Sequence, residues 1–314
     1  MPRQGARRPL PHGRRAGRRS RRLRPGSFIR VLLSSRRIGS SVSPRHWEFL
    51  TVGGGAGREA ADTPSRRPPI PQVTGTDEIE AVHRILEETL LRIAFQPIVD
   101  IQTRKVYAYE ALARSPFPIF AGPQHLYEAA VRAGRVGEMG RLHRVQATKG
   151  CADWPLFLNI NPNEFDQGWL VRPDDPIFWH KHQVYLEITE SALLIYFEQC
   201  HSVLAEIRKK RVLLAVDDFG AGYSNLRYIS DLTPEIVKLD RVLVAGLKEG
   251  SRLFRLVRSI VRLCKEMGAK VVAEGIETVE ELAAVESARV DFAQGFLLAR
   301  PGVPLPEATW PARL

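Results

Sequence analysis

Residues 211–220 read Arg-Val-Leu-Leu-Ala-Val-Asp-Asp-Phe-Gly, so two adjacent carboxylates end an apolar, β-branched run. This pattern predicts a buried strand with Asp217 and Asp218 at its carboxyl end. Burying either carboxylate unpaired is costly, so we expect cations beside them. A turn beginning at Gly220 would direct both side chains to one mouth, where an ion bridged by Asp217 and a second ion on Asp218 would relieve their repulsion. The alternative is an Asx-type turn that caps a helix starting near Ser224.

Charge is distributed unevenly along the 314 residues. Residues 1–75 contain 17 Lys and Arg against 3 Asp and Glu, and residues 1–47 contain no acidic side chain. The other 239 residues contain 29 basic and 32 acidic side chains, so the net charge of +11 comes from the amino-terminal part. We therefore predict a disordered Arg/Pro/Gly-rich tail or linker over 1–75 and a mildly acidic globular domain over 76–314.

The basic tail has two interpretations. It is either a passive segment, including sequence translated from upstream of the true start, or a contact to a polyanion or a membrane surface. Its apolar patch at 27–33 is too short to span a bilayer. Three cysteines, Cys151, Cys200 and Cys264, lie far apart and are odd in number, which fits a reducing compartment and predicts a cytoplasmic location.

Short apolar strands alternate with amphipathic helices beyond residue 76. We predict strands at 94–99, 107–112, 156–161, 184–188, 212–216, 236–239, 270–273 and 292–296. We predict helices at 78–91, 124–133, 137–151, 191–209, 251–267 and 278–287. Eight strands, most of them separated by helices, are typical of an α/β fold of the (β/α)₈ TIM-like barrel type. The first two strands are too close in sequence for a crossover helix, which predicts one antiparallel strand in an otherwise parallel barrel.

Polar side chains lie at the carboxyl ends of seven of the predicted strands, and these ends converge on one mouth in such a barrel. They are Glu110, Asn159, Glu187, Asp217, Asp218, Lys238, Glu274 and Gln294. Each residue alone has a structural explanation as a turn, a cap or an exposed ion pair. These explanations would all have to be true at once, at seven strand ends, which is improbable. The oxygen ligands favour Mg²⁺ or Mn²⁺ over zinc, and two ions about 4 Å apart suit in-line displacement at phosphorus.

Seven short motifs occur in a fixed order between residues 94 and 301, together with Asn159. They are FQPIVD at 95–100, EALAR at 110–114, EITE at 187–190, DDFG at 217–220, KLDR at 238–241, AEGIE at 273–277 and QGF at 294–296. In this order and spacing they resemble the EAL-domain family of cyclic-di-GMP phosphodiesterases, over nearly the whole globular part.

The resemblance implies a metal-dependent phosphodiesterase that opens cyclic di-GMP to linear pGpG by in-line attack of a metal-activated water. It implies one ion on Glu110, Asn159, Glu187 and Asp217. The second ion would share Asp217 and bind Asp218. Glu274 would serve the water as a base or as a second-ion ligand, and Lys238 would orient that water or balance charge.

The resemblance also implies how the nucleotide and a nearby loop are held. The nucleotide contacts would be Gln96, Leu112, Arg114 and Gln294. Glu190 and Glu277 would fix the loop after Asp217 and Asp218, where Gly220 and Gly222 permit tight turns.

Cofactors and partners follow from the same resemblance. We expect two Mg²⁺ or Mn²⁺ ions per site, and inhibition by Ca²⁺ because calcium prefers longer bonds and a looser shell. We expect cyclic di-GMP as the ligand and no specific nucleic acid. The sequence is compatible with a homodimer but does not decide the oligomeric state. No cyclase, receiver or PAS stretch precedes the barrel, so regulatory input would be absent or supplied in trans. Val131 replaces an acid of the family's helix motif, which bears on helix anchoring or dimer contacts.

The alternative function is a catalytically silent barrel that acts as a cyclic-di-GMP receptor or as a protein-interaction module. Loss of metal ligands would favour this alternative, whereas every ligand position here carries the residue that the resemblance requires.

Overall fold

The structure, a computed structural model, describes residues 75–165, 168–221 and 230–312, without the side chains of 193–200. The predicted tail up to residue 74, the Cys200 side chain, Gly222 and the helix start near Ser224 lie outside these residues. Within the described part of the chain, no helix combines the length and the apolar character that crossing a lipid bilayer requires.

Eight strands in the described residues close into a barrel in chain order. They are β1 (Arg92–Asp100), β2 (Lys105–Arg114), β3 (Leu156–Asn159), β4 (Val184–Thr189), β5 (Leu213–Phe219), β6 (Ile236–Leu239), β7 (Lys270–Ala273) and β8 (Phe292–Ala293). Strand β1 pairs antiparallel with both β2 and β8, and all the other neighbours pair in parallel. The predicted barrel with one antiparallel strand is confirmed.

One helix precedes β1, and the other helices lie between strands. They are α1 (Gly75–Glu87), α2 (Pro123–Arg132), α3 (Val136–Gly150), α4 (Glu190–Lys209), α5 (Arg241–Val244), α6 (Arg252–Glu266) and α7 (Val279–Ser287), with 3₁₀ turns at Pro162–Glu164, Trp169–Val171 and Pro176–Phe178. Helix α1 ends before the predicted residue 91, because Thr89 has a φ of 52° that a helix cannot accommodate.

Two strands are shorter than predicted, for reasons visible in the loops that follow them. Strand β3 ends at Asn159, because the Asn161 side chain accepts a hydrogen bond from Asn163 N–H and starts a 3₁₀ turn. Strand β8 ends at Ala293, because the chain then bonds to the loop after β7. In that loop Ile276 donates its N–H to Gln294 O and accepts from Leu297 N–H.

An apolar layer fills the barrel interior below the mouth. Its members are Ile98, Ala108, Phe157, Tyr185, Ala215, Ile236, Val272 and Phe292, one from each strand. Phe157 stacks on Tyr185 at 4.3 Å between ring centroids, and Phe292 stacks on Tyr107 at 4.4 Å. The barrel is therefore a packed core rather than a pore, and the side chains of the next layer rest on an apolar floor.

Candidate active site

The polar residues of the mouth form the layer directly above this apolar floor. Seven of them stand two residues after a floor residue on a parallel-running strand, and Gln96 stands two residues before Ile98 on the antiparallel β1. Alternate side chains of a strand point to the same face, so period two directs all of them into the barrel mouth. They are Gln96, Glu110, Asn159, Glu187, Asp217, Lys238, Glu274 and Gln294.

Lys238 lies at the centre of this layer and is completely buried. Its Nζ is 2.5 Å from Glu187 Oε1, 2.6 Å from Glu274 Oε1, 3.2 Å from Asp217 Oδ1 and 3.5 Å from Glu110 Oε2. These are ion pairs by distance, but the ammonium is not aligned for a hydrogen bond to any of them. One buried cation therefore serves four carboxylates without satisfying any one of them directionally.

Asp218 reaches the same mouth although it follows Asp217 directly. Its φ is +55°, and the pairing of β5 with β6 is irregular between Val216 and Phe219. The bulge at Asp218 itself, rather than the expected turn at Gly220, turns the second carboxylate inward. Aspartate tolerates this left-handed conformation better than most residues do, and such strain is typical of functional sites.

The electrostatics of the mouth leave its negative charge uncompensated. Five carboxylates face one ammonium, and burial is the main cause that raises the pKa of Glu187 and of Glu274 well above the usual range. Burial and the Asp217 charge raise the pKa of Asp218 to about 6. The four carboxylates around Lys238 raise the pKa of that ammonium despite its burial. Without further cations, burial therefore favours the protonated forms of Glu187 and Glu274.

Amide side chains link the carboxylates around the rim. Asn159 Nδ2 donates to Glu110 Oε1 and to Glu187 Oε2, both at 3.0 Å. Gln294 Nε2 donates to Glu110 Oε2 at 2.8 Å and to Gln96 Oε1 at 3.3 Å. The Asn159 amide thus presents its nitrogen to the carboxylates, and a 180° rotation of the amide would bring Oδ1 to the same place.

The donor set fits divalent cations. Single oxygens of Asp217, Asp218 and Glu274 lie within 4.8 Å of one another. Glu187 Oε1 and Asp217 Oδ1 are buried and accept no hydrogen bond. Both oxygens face the Lys238 ammonium, and clustered carboxylate oxygens of this kind are the ligands that Mg²⁺ and Mn²⁺ prefer.

Two cavities open on the mouth and share part of their lining. The larger cavity, about 680 Å³, extends from the shared residues to α2, and the smaller one, about 350 Å³, extends to the loops after β6, β7 and β8. The shared lining residues are Glu110, Leu112, Asp217 and Asp218. Gln96 and Gln294 line the smaller cavity, together with Lys238 and Glu274.

Three of the expected residues have different surroundings from the rest. Arg114 lines neither cavity, and its Nη1 donates to the neighbouring Ala113 O at 2.9 Å. Glu190 is buried and accepts from Gly220 N–H at 3.3 Å, directly after the two aspartates. Glu277 lines the smaller cavity and accepts from Arg241 Nη2 at 2.7 Å.

Sequence reasoning missed two polar groups on α3 that support the mouth from behind. His143 Nε2 donates to Ala111 O at 3.0 Å, which leaves Nδ1 to accept from Tyr127 Oη at 3.1 Å. Arg144 Nε donates to Asp175 Oδ2 at 2.9 Å, and its Nη1 donates to Glu164 Oε2 at 2.6 Å. The available signal was their spacing: both lie seven or eight residues after Val136, in the stripe of α3 that is otherwise apolar or Gly.

Known proteins share this architecture and its motifs. The EAL domain family model matches residues 79–301. The cyclic di-GMP phosphodiesterase NbdA of Pseudomonas aeruginosa is 27% identical over 249 residues, which cover 73% of this chain and 31% of that protein. The chain spans 27–31% of the length of the first curated relatives that it matches.

Solved structures agree with this match. A PaMucR phosphodiesterase in complex with c-di-GMP is 27% identical with a TM-score of 0.63, and the match covers 72% of this chain and 97% of that one. Klebsiella pneumoniae BlrP1 in a manganese/cy-diGMP complex is 31% identical with a TM-score of 0.61, over 69% of this chain and 57% of that one. The chain therefore belongs to the EAL domain family.

Proposed function

We propose that this chain is a metal-dependent phosphodiesterase that hydrolyses cyclic di-GMP to linear pGpG. The observation that carries the proposal is the mouth itself, where four carboxylates surround one buried lysine between two cavities, with Asp218 beside them. Relatives whose names state cyclic-di-GMP hydrolysis, and complexes that contain manganese and cyclic di-GMP, support the same chemistry.

Two groups of residues are suited to hold the cations. Glu110, Asn159, Glu187 and Asp217 would hold one ion. Asp217 and Asp218 would hold the other. When bound, Mg²⁺ or Mn²⁺ would supply Lewis acidity toward the phosphodiester and would lower the pKa of water. The chain would also retain a positive charge of its own in Lys238, which stabilises negative charge that develops at the floor of the mouth.

Glu274 is the group best placed to take a proton from the attacking water. Its side chain is 18% exposed, whereas the Glu187 side chain on the other side of Lys238 is fully buried. Glu187 has no access to solvent, whereas Glu274 lines the smaller cavity. A general base must reach the proton that it removes, and Glu274 meets this condition.

Gln96, Leu112 and Gln294 are proposed to position the nucleotide. Leu112 is half-buried and lines both cavities, so its side chain offers an apolar surface to a base or a ribose on either side. Arg114 would join them only after its guanidinium leaves the Ala113 carbonyl. We assign Glu190 to the support of the loop that begins at Gly220, and Glu277 with Arg241 to the rim of the smaller cavity.

Hydrolysis by the purified full chain tests the proposal. With Mn²⁺ or Mg²⁺ and cyclic di-GMP, the product is expected to be pGpG, and replacing these ions by Ca²⁺ is expected to inhibit. Glu110→Ala and Asp217→Asn should each abolish turnover while part of the metal-free nucleotide binding persists. Binding without product formation by the wild-type chain would instead support a cyclic-di-GMP receptor. An absence of both binding and turnover would reject the EAL-type ligand altogether.

A further inference from the structure

The larger cavity has a wall to which the sequence motifs assign no role. A cyclic dinucleotide carries two bases, and the proposed chemistry places one of its phosphates over the shared residues Asp217 and Asp218. Its two nucleosides must then extend into the two cavities. Gln96 and Gln294 serve the smaller cavity, whereas Leu112 is the only nucleotide contact assigned so far that reaches the larger one.

Helix α2 supplies the free wall of the larger cavity. Pro123, Gln124, Tyr127 and Glu128 all line it, on the face where positions four residues apart lie side by side. Gln124 Nε2 donates to Glu128 Oε1 at 3.0 Å. Glu128 is exposed, and no Lys, Arg or His of the described residues lies within ion-pair distance of its carboxylate. A carboxylate held by an amide, without a cation, thus faces the cavity.

The back of this wall is held in place by buried hydrogen bonds. Tyr127 donates its hydroxyl hydrogen to His143 Nδ1, and the other ring nitrogen of His143 donates to Ala111 O on β2. Helix α2 is therefore tied to the strand that carries Glu110 and Leu112. This tie positions the backbone of α2, which carries Glu128, relative to the strand that forms part of the mouth.

The chemistry of this wall matches one nucleobase edge. Guanine presents two neighbouring N–H donors on its Watson–Crick edge, from N1 and the exocyclic 2-amine, with O6 as an acceptor beside them. A carboxylate is an acceptor only and offers two oxygens to such a pair. The second N–H of Gln124 remains for O6. Adenine presents an acceptor at N1, so the same carboxylate would face a lone pair.

We propose that Glu128, held by Gln124, reads the Watson–Crick edge of one guanine in the larger cavity and selects guanine over other purines there. This inference rests on the proposed function, since it takes cyclic di-GMP as the ligand. It adds a specificity-determining residue on α2 that lies outside the motif set.

The test compares two substrates and four proteins. The substrates are cyclic di-GMP and the corresponding cyclic dinucleotide of inosine, which lacks both 2-amines. The proteins are the wild type, Glu128→Ala, Glu128→Gln and, as the matched control, Glu280→Gln, an exposed helix carboxylate that lines neither cavity. The readout is the ratio of kcat/KM for the two substrates, compared between proteins. Any preference for guanine that arises in the smaller cavity is the same in all four proteins, so it cancels in this comparison.

We expect Glu128→Ala to lose about 10- to 100-fold in kcat/KM on cyclic di-GMP, mainly through KM, because a charged hydrogen-bonding partner is lost. On the inosine substrate the loss should be several-fold smaller, so the wild-type preference for guanine shrinks. Glu128→Gln should behave similarly, since its amide places a donor against a guanine donor. Glu280→Gln should retain the wild-type ratio.

The outcomes separate this inference from the proposed function. A wild type that neither binds nor hydrolyses cyclic di-GMP overturns both. If the wild type turns over cyclic di-GMP and both Glu128 variants keep its substrate ratio, only the role of Glu128 is overturned. If the wild type binds without hydrolysis, the same comparison is made on dissociation constants from calorimetry, with the same expected direction. Circular dichroism confirms that each variant is folded before its ratio is interpreted.

Discussion

Lys238 Nζ lies 2.6 Å from Glu274 Oε1, and this contact joins a side chain that is 1% exposed to one that is 18% exposed. The same ammonium also lies 2.5 Å from Glu187 Oε1, which is fully buried. The lysine thus pairs with one carboxylate without solvent access and with another that faces the smaller cavity. This asymmetry separates the roles of the two glutamates.

Replacing Glu274 with Gln should therefore slow the chemical step without preventing assembly of the site. The four residues assigned to the first ion remain, so that ion and the nucleotide should still bind. Losing a general base typically costs 10²–10⁴-fold in rate, and we expect kcat to fall at least ~100-fold. Single-turnover hydrolysis at saturating Mn²⁺ measures the step, and calorimetry measures binding.

Glu280→Gln serves again as the control, because Glu280 is an exposed carboxylate six residues further along the chain. Its rate and affinity should match the wild type. Should Glu274→Gln weaken nucleotide binding and leave the chemical step intact, Glu274 is a nucleotide contact and the assignment to water is wrong.

Most polar residues of the mouth stand two residues after an apolar residue of the barrel floor, and this spacing explains how far the site could be predicted from the sequence. Phe157 and Asn159, or Val272 and Glu274, follow a local rule: an apolar interior residue and then a polar one on the same face of the same strand. Such a rule involves only neighbouring residues of one strand, so it does not depend on the long-range contacts of the fold. The barrel, its antiparallel strand and the polar mouth were predictable because each depends on strand periodicity and loop length.

Other features depend on contacts that are distant in sequence. The inward turn at Asp218 comes from an irregular pairing with β6. The Arg144 ion pairs reach 20 and 31 residues along the chain. Neither periodicity nor propensity encodes which long-range partner a side chain finds, so these features required the structure.

Arg144 offers a stability test of one of those long-range contacts. The Arg144 guanidinium is buried between Glu164 and Asp175, which are themselves completely buried. Arg144→Met would leave two carboxylates without a cation, and breaking a buried pair this way typically costs about 3–5 kcal/mol. Urea unfolding measures the change in the free energy of unfolding.

Lys149→Met on the same helix is the matched control. Lys149 is exposed, and exposed charges contribute about 0–1 kcal/mol. A similar loss of stability in both variants would show that the effect comes from helix α3 itself rather than from the buried charges.

His143 predicts a pH dependence of stability. Burial lowers the pKa of this imidazole to about 4, although its hydrogen bond to Ala111 O opposes the shift. In the unfolded chain the pKa is near 6.5, so the folded state binds fewer protons between these values. The contribution of neutral His143 is therefore complete above pH 6.5 and is lost as pH falls toward 4, by up to about 3 kcal/mol.

His143→Gln removes this titration while keeping a polar side chain. Because buried carboxyl groups elsewhere titrate in the opposite direction, the measured quantity is the difference in unfolding free energy between wild type and variant, followed from pH 7.5 to 4. This difference should shift in favour of the variant as pH falls. A difference that stays constant across the range would mean that the histidine titrates alike in both states.

The charge of Asp218 is expected to lower the stability of the ion-free protein, although the proposed function requires this charge. Burial and the Asp217 charge raise its pKa from 3.8 to about 6, so its ionised form lowers the stability of the folded chain above that pH. Asp218→Asn removes the charge and still tolerates the φ of +55°, and we expect the ion-free protein to gain about 1 kcal/mol, allowing for solvent screening. Asp218→Ala should gain less, because alanine is disfavoured in this conformation.

Thermal unfolding at pH 7.5, with and without Mn²⁺, separates the two roles that the sequence left open for Asp218. If it is an ion ligand, Mn²⁺ should stabilise the wild type more than Asp218→Asn, and hydrolysis should be lost although the ion-free variant is the more stable protein. An Asx-type turn makes the opposite prediction, since Asn keeps the turn and activity, and Ala loses stability with or without Mn²⁺. For a ligand that the fold holds against repulsion, we expect the ion-free stability to rank Asn, then Ala, then wild type, and we expect Mn²⁺ to raise the stability of the wild type more than that of either variant.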